Sequence, residues 1–149
     1  WCLIMFLMMP IWHVYGKQNL STEAYQTTPA KFGAKVEEMV EKYKVGEEAG
    51  IPIVRPPAGS DVYLLGRLWQ WYPILELEKD KDYRIHLSSM DWQHGFSLQP
   101  LNINLQIVPG YEMVTTMTPD TSGEFGVICN EYCGIGHHTM VGKIYVKEK

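Results

Sequence analysis

The sequence predicts an all-β fold, a sandwich or barrel of short strands, with an apolar helix at the N-terminus and a short surface helix. Three observations lead to this fold class: an uncharged apolar N-terminal run, one segment with helical spacing, and seven short segments with a period of two. The chain has 149 residues, the size of one ordinary domain. Its hydrophobic fraction of 46% and charged fraction of 20% are globular values that exclude disorder or coiled coil for the whole chain.

The N-terminal run, residues 1–16, contains no charged side chain. A membrane span needs about 20 apolar residues. We expect this run to be the outer part of one transmembrane helix, shortened at its N-terminus, because it begins at Trp1 without an initiator methionine. Trp12 and Tyr15 fit an aromatic belt at the membrane surface beside Lys17. A signal peptide is the alternative, but a charged n-region and an A-x-A cleavage site are both missing.

Residues 17–60 are predicted to connect this helix to the β domain. The polar residues 17–28 are interpreted as a tether without a fold of its own. From Thr28 onward apolar residues recur at helical spacing, with Gly46 after the last turn, which predicts one amphipathic surface helix. Residues 51–59 (IPIVRPPAG) form a Pro-rich connector, because proline fixes φ and offers no N–H to a strand ladder.

Residues 61–149 are predicted to form the β domain. Short strands separated by turn residues are typical of a sandwich or barrel. Within the strand 83–89 (YRIHLSS), alternation places His86 on the face opposite Ile85 and Leu87, so we expect His86 to face solvent. The predicted strands are 62–71, 74–78, 83–89, 103–108, 113–118, 124–129 and 141–147.

The charge balance excludes one class of partner. Lys and Arg number 13 against 17 Asp and Glu, a formal net charge of -4, and the chain has no basic run. Nucleic-acid binding requires a basic patch to neutralise phosphates. The sequence therefore predicts no nucleic-acid partner, and a cationic partner suits it better.

The segment richest in possible ligands lies late in the chain, at residues 129–140 (CNEYCGIGHHTM). Two thiols, an imidazole and a thioether occur there with the spacing C-x3-C-x3-H-x2-M. Thiolate and thioether are soft donors that select Cu(I), zinc or iron–sulfur clusters, and the methionine favours copper. Gly134 and Gly136 allow the loop to fold back so that its donors converge. The pattern predicts a copper-binding loop.

Other interpretations of the loop remain open from the residues alone. Oxidising compartments permit a disulfide between the two cysteines. Zinc could use both cysteines with His137 and His138, although zinc has no need of Met140. A thiol–disulfide copper carrier also uses C-x3-C but takes its histidine from far along the chain. If both thiolates instead bridge two metal ions, a second histidine is required, and His94 is the best candidate because it follows the strand 83–89, where loops carry sites.

The motif D-x-x-H-G-F at residues 91–96, followed by C-N-E-Y-C-G-x-G-H-x-x-M, resembles subunit II of the haem-copper cytochrome c oxidases. The resemblance runs from about residue 62 to residue 147 and includes N-I-N at 102–104 and V-P-G at 108–110. It implies a cupredoxin-like Greek-key β-barrel. The single N-terminal span is similar to the B-type branch of the family.

The resemblance also implies a binuclear copper centre, CuA. Its six ligands would be Cys129 and Cys133 as bridging thiolates, His94 and His137 as one imidazole on each copper, Met140 as a weak axial thioether, and Glu131 through its main-chain carbonyl oxygen. We expect Ile128, Ile135 and Val141 to form an apolar shell around this centre.

The resemblance further implies the electron-accepting subunit of a terminal oxidase. Electrons would come from a soluble or membrane-attached cytochrome c and pass to haem in a separate catalytic subunit I, where oxygen is reduced. The domain would lie outside a bacterial or archaeal cytoplasmic membrane, with one span in the lipid. A copper-delivery or thiol-redox protein is one alternative, and a copper domain related to nitrous oxide reductase is another, although the latter carries a large propeller domain.

Trp69 and Trp71 are candidates for electron uptake. They alternate with Gln70 in a predicted strand, so both indoles are expected on one face. That face either packs into the core or exposes an apolar surface beside the copper loop, rimmed by carboxylates such as Asp91 and Glu131, where a haem edge could dock.

Overall fold

The structure, a computed structural model, describes residues 1–16 and 22–148. Within these residues it contains two helices, twelve strands and one short 3₁₀ turn at His137–Thr139. The elements are α1 (Cys2–Tyr15), β1 (Glu23–Gln26), α2 (Pro29–Tyr43), β2 (Lys44–Glu48), β3 (Ile51–Val54), β4 (Asp61–Arg67), β5 (Gln70–Tyr72), β6 (Ile74–Glu78), β7 (Tyr83–Ser89), β8 (His94–Gln99), β9 (Ile103–Ile107), β10 (Tyr111–Met117), β11 (Gly123–Cys129) and β12 (Val141–Lys147).

The strands form two sheets around one core. One sheet has the order β1-β10-β7-β4-β5, and the other has the order β2-β3-β6-β12-β11-β8-β9. Most neighbouring pairs are antiparallel, while β4–β7, β3–β6 and β6–β12 are parallel. Apolar side chains of both sheets, including Leu87, Leu98 and Val127, belong to a single buried cluster. The predicted all-β fold is confirmed.

The amphipathic helix α2 is also confirmed. Thr28 caps it, with its hydroxyl accepting from the backbone N–H of Lys31 at 3.3 Å, and a proline in the first turn suits this position because its missing N–H has no helical partner. Val36, Met39 and Val40 are buried against the sheets. The helix ends at Tyr43, earlier than predicted, because the following residues enter β2.

The boundary expected at residue 61 does not separate two packed units. Strand β1 lies in the segment interpreted as a tether and pairs with β10, whereas residues 17–21 of that segment lie outside the described residues. Strand β3 lies in the Pro-rich connector. Pro52 pairs with Glu47 of β2 and has no partner in the register of β3 with β6, where only Ile53 and Val54 pair, so the missing N–H costs no bond in the ladder with β6.

The N-terminal helix α1 carries apolar side chains on all sides. It has 14 residues, and none of them is buried. Within residues 1–16 and 22–148, no helix is both long and apolar enough to cross a membrane. A helix therefore lies in the place that the sequence predicts.

His86 is the clearest departure from the predicted strand faces. The sequence predicts that it faces solvent, whereas only 8% of it is exposed. Its Nδ1 contacts the carboxylate of Glu112, and its ring lies 4.7 Å from the ring of Tyr63, centroid to centroid. The outer face of this sheet is covered, because Phe32 of α2 packs edge-on against Tyr63 and Lys35 of α2 pairs with Glu112. Alternation alone does not reveal such a cover.

Candidate metal centre

The loop between β11 and β12 folds back on itself at one end of the sandwich. Cys129 is the last residue of β11, and its backbone N–H donates to the carbonyl of Met140 at 3.1 Å, which closes the loop. Gly134 has a φ of +105°, a conformation that L side chains rarely adopt. At Gly136, a Cβ would lie 2.2 Å from the indole of Trp69. The two glycines therefore permit the turn and the close approach of Trp69.

The soft donors converge inside this loop. The sulfurs of Cys129 and Cys133 lie 3.7 Å apart, and both cysteines are buried free thiols. His94 Nδ1 is 3.9 Å from the Cys129 sulfur, and His137 Nδ1 is 3.6 Å from the Cys133 sulfur. Met140 Sδ lies 3.8 Å from the Cys133 sulfur. Each thiol thus has its own imidazole, and the thioether lies beside the pair.

His94 is fixed by a carboxylate on its far side. The residue is fully buried at the start of β8, and its Nε2 donates to Oδ1 of Asp91 at 2.8 Å, which leaves Nδ1 directed at the sulfur pair. Burial opposes ionisation of Asp91, but the hydrogen bonds from His94 and from the backbone N–H groups of Leu68 and Trp92 outweigh it and lower its pKa. A partner of this kind orients a ligating imidazole and selects its tautomer.

Glu131 presents its main chain to the centre and its side chain away from it. The thiol of Cys129 donates to the Glu131 carbonyl oxygen at 3.2 Å. The Glu131 carboxylate instead accepts from Nε2 of Gln106, on β9, at 3.0 Å. The structure therefore brings all six predicted ligand residues to one place, with the Glu131 contribution made through its backbone.

The thiol of Cys133 is protonated near neutral pH when no metal is bound. Burial, with the hydrogen bond and charge of the neighbouring Cys129, raises the pKa of Cys133 to about 11. Metal ions bind cysteine as thiolate, so the metal must displace protons. We expect uptake of copper near pH 7 to release protons and to weaken as the pH falls. Titration in weakly buffered solution, with a pH indicator and parallel metal analysis, measures both effects, and proton-free uptake would contradict the assignment.

The two tryptophans lie in different environments, contrary to the predicted common face. The chain reverses between β4 and β5, where Gly66 pairs with Trp71 and Arg67 with Gln70, so Trp69 lies in the turn and Trp71 in the next strand. Alternation of faces holds only within one continuous strand. Trp71 is 3% exposed and belongs to the core.

Trp69 covers the copper loop. It is 39% exposed, and its indole N–H donates to the carbonyl of Cys133 at 3.1 Å. The turn that carries it is held by Asp91, which accepts from the backbone N–H of Leu68 at 2.7 Å. One carboxylate therefore positions both the His94 ring and the turn of Trp69.

The prediction that Ile128, Ile135 and Val141 form an apolar shell around the centre is wrong. Ile128, Ile135 and Val141 are 47%, 87% and 63% exposed, because they occupy the outer face of the loop. The buried wall is formed by Trp71 instead, whose ring lies edge-on to the ring of His94 at 6.4 Å. His138, which a zinc site would need beside His137, is exposed.

The donor set fits copper. Thiolate, imidazole and thioether together match the ligand preferences of copper, whereas zinc sites make no use of the thioether. The mainly antiparallel two-sheet sandwich, with its ligands in one loop and at one strand end, and this donor set together define a copper domain of the cupredoxin class.

The comparisons with known proteins identify the family. The family described as cytochrome C oxidase subunit II, periplasmic domain, matches residues 65–147, and the chain belongs to this family. A cytochrome c oxidase subunit 2 from Thermus thermophilus is 36% identical over 93 residues, which are 62% of this chain and 69% of that protein. A second cytochrome c oxidase subunit 2, from a particular strain of Thermus thermophilus, is also 36% identical over 93 residues, which are 62% of this chain and 55% of that protein.

Solved structures share the fold. A chain of a heme-copper terminal oxidase dimer matches with a TM-score of 0.64 and 22% identity, over 98% of this chain and 92% of that one. Rusticyanin from Thiobacillus ferrooxidans matches with a TM-score of 0.58 and 18% identity, over 86% of this chain and 99% of that one. The predicted cupredoxin-like fold is confirmed. The copper site thus lies in the periplasmic domain of a subunit II, a component of an oxidoreductase complex that also contains the catalytic subunit.

Proposed function

We propose that this chain accepts electrons from cytochrome c at a binuclear copper centre and passes them to haem in catalytic subunit I. The observation that carries the proposal is the pair of buried sulfurs 3.7 Å apart with a different histidine beside each. A pair of copper ions held by these residues would supply one-electron chemistry. The ligands proposed are Cys129, Cys133, His94, His137, Met140 and the Glu131 carbonyl.

The protein's contribution is to hold these donors rigidly and to exclude water. His94, Cys133 and Met140 are each 0% exposed. His94 cannot rotate without losing its bond to Asp91, and the closure of the loop fixes Met140 next to Cys129. Donors that keep their positions in both oxidation states lower the reorganisation that accompanies electron transfer.

We propose Trp69 as the point of electron uptake. Its indole is partly exposed, and its single hydrogen bond leads to the main chain of Cys133, one of the proposed bridging ligands. Exposed Trp92 and Tyr132 extend an apolar surface around the loop, against which a haem edge can dock. Trp71 has no access to such a partner, because it is buried.

We propose that α1 anchors the domain to the outer side of a cytoplasmic membrane, as a single span in contact with lipid and as in the B-type branch. Support comes from the absence of charge in residues 1–16 and from the exposure of large apolar side chains such as Phe6, 75%, and Trp12, 62%. Exposed apolar surface of this kind is unfavourable in water.

Copper stoichiometry tests the proposed function. The chain loaded with copper should contain two copper ions, and the oxidised form should show EPR hyperfine splitting from two equivalent nuclei, because both thiolates are shared. A thiol-redox protein, the second candidate, would instead be recovered without copper and with a disulfide between Cys129 and Cys133. A one-copper spectrum would contradict the proposal.

A further inference from the structure

The copper loop rests directly on the hairpin of β8 and β9. Gly95 of β8 pairs with Gln106 of β9. A Cβ at Gly95 would lie 2.0 Å from Oδ1 of Asn130 and 2.8 Å from the backbone nitrogen of Glu131. The backbone N–H of Asn130 also donates to the Gly95 carbonyl at 3.2 Å. The missing side chain at Gly95 therefore creates the space in which the Asn130–Glu131 segment lies.

Strand β9 then holds that segment from the side. Gln106 Nε2 donates to Oε1 of Glu131 at 3.0 Å, and Asn104 Oδ1 accepts from Nδ2 of Asn130 at 3.0 Å. Gln106 and Asn104 are two residues apart, so both side chains lie on the same face of β9. β9 is the edge strand of its sheet. It contacts the Asn130–Glu131 segment through these two side chains and not through a strand ladder.

The hydrogen bond from Gln106 can affect the copper centre because the side chain and the main chain of Glu131 have different partners. Its carboxylate is bound by Gln106, while its main-chain oxygen lies 3.2 Å from the Cys129 sulfur. A displacement of the side chain consequently moves or rotates the peptide that presents this oxygen. Weak axial donors tune the potential of a copper site more than they hold the metal, and residues behind a ligand set its orientation.

We propose that Gln106 is a positioning residue, which sets the approach of the Glu131 carbonyl to the copper centre and thereby tunes its reduction potential. This inference rests on the proposed copper function. If the exposed Gln106–Glu131 hydrogen bond has only a structural role, its loss should lower the free energy of unfolding by about 1 kcal/mol or less. The two interpretations differ in what they predict for the potential.

The test compares Gln106→Leu with Gln99→Leu in the full chain. Gln99 is exposed, like Gln106, but it lies at the opposite end of β8 from His94. Gln106→Leu should retain two coppers per chain while its reduction potential and optical spectrum shift away from wild type. Gln99→Leu should reproduce the wild-type values. A Gln106→Leu potential equal to that of Gln99→Leu would overturn the proposal.

Variants of Glu131 supply a second route. Glu131→Ala removes the carboxylate that accepts from Gln106, and its potential should differ from wild type because both this hydrogen bond and a negative charge are lost. The double variant Gln106→Leu/Glu131→Ala should show no further shift, because both changes remove the same link. Additive shifts would contradict the proposal.

A copper-free measurement separates this inference from the copper function. Hydrogen exchange at the Asn130, Glu131 and Tyr132 amides of the apo chain should be faster in Gln106→Leu than in wild type and Gln99→Leu. Unchanged exchange would overturn the positioning role even if copper analysis failed. Wild type that binds fewer than two coppers, with faster exchange in Gln106→Leu, would refute the copper function and retain the link.

Discussion

Serine in place of Cys129 or Cys133 should abolish the binuclear centre. A hydroxyl is a hard donor that stays protonated near neutral pH, so it cannot bridge two copper ions as a thiolate does. Copper analysis per folded chain, with the EPR spectrum, measures the loss. Burying a hydroxyl at these positions, which are 4% and 0% exposed, costs about 1–3 kcal/mol, less than the ~5–15 kcal/mol stability of a typical domain. The variants should therefore remain folded, with a far-UV circular dichroism spectrum like that of wild type.

Two further variants of the loop serve as controls for that loss. Glu131→Gln should keep both coppers, because the proposed donor at this residue is the main-chain oxygen and glutamine can still accept from Gln106. Met140→Leu should also keep copper but shift the potential, since a weak axial thioether tunes the metal more than it holds it. Complete loss of copper from Glu131→Gln would show that its carboxylate is the ligand.

The regular part of the fold could be predicted from short strand-like runs between turn residues. Strands β6, β7 and β12 have the bounds that the sequence indicates. Strand β3 was hidden by Pro52, which argues against a strand unless its neighbours are known. Strand β8 begins at His94-Gly95, a pair that is equally typical of a turn. Both strands depend on partners distant in sequence.

The proposed ligands could be identified from the sequence, whereas the residues that surround them could not. Cys129, Cys133 and His137 share one short loop, so spacing alone brings them together. Gln106 is an exposed polar residue on an edge strand, and only the folded structure shows that it reaches Glu131. The sequence offered one signal, Gly95 next to the proposed ligand His94, since glycine in a strand often marks the close approach of another segment.

Replacing Trp69 by alanine should slow the oxidation of cytochrome c by about tenfold or more, the usual scale for loss of an aromatic residue at the centre of an interface. The indole contacts the main chain of Cys133 and packs on Gly136, and the contacts described for it include no donor atom of the centre. The copper spectrum should therefore persist. Stopped-flow oxidation of reduced cytochrome c at several salt concentrations measures the rate, and rim carboxylates should govern its salt dependence.

Trp71→Ala is the matched control, because it removes the same side chain from the same hairpin. Trp71 is 3% exposed and packs edge-on against Phe96 at 5.5 Å, so its loss should cost about 3–5 kcal/mol of unfolding free energy. Trp69→Ala, at 39% exposure, should cost much less. Trp69→Phe should retain the packing on Gly136 and lose only the hydrogen bond to Cys133, which separates docking from electronic coupling. Equal losses of stability and of rate in Trp69→Ala and Trp71→Ala would assign both indoles to the core and leave electron uptake at another part of the apolar surface.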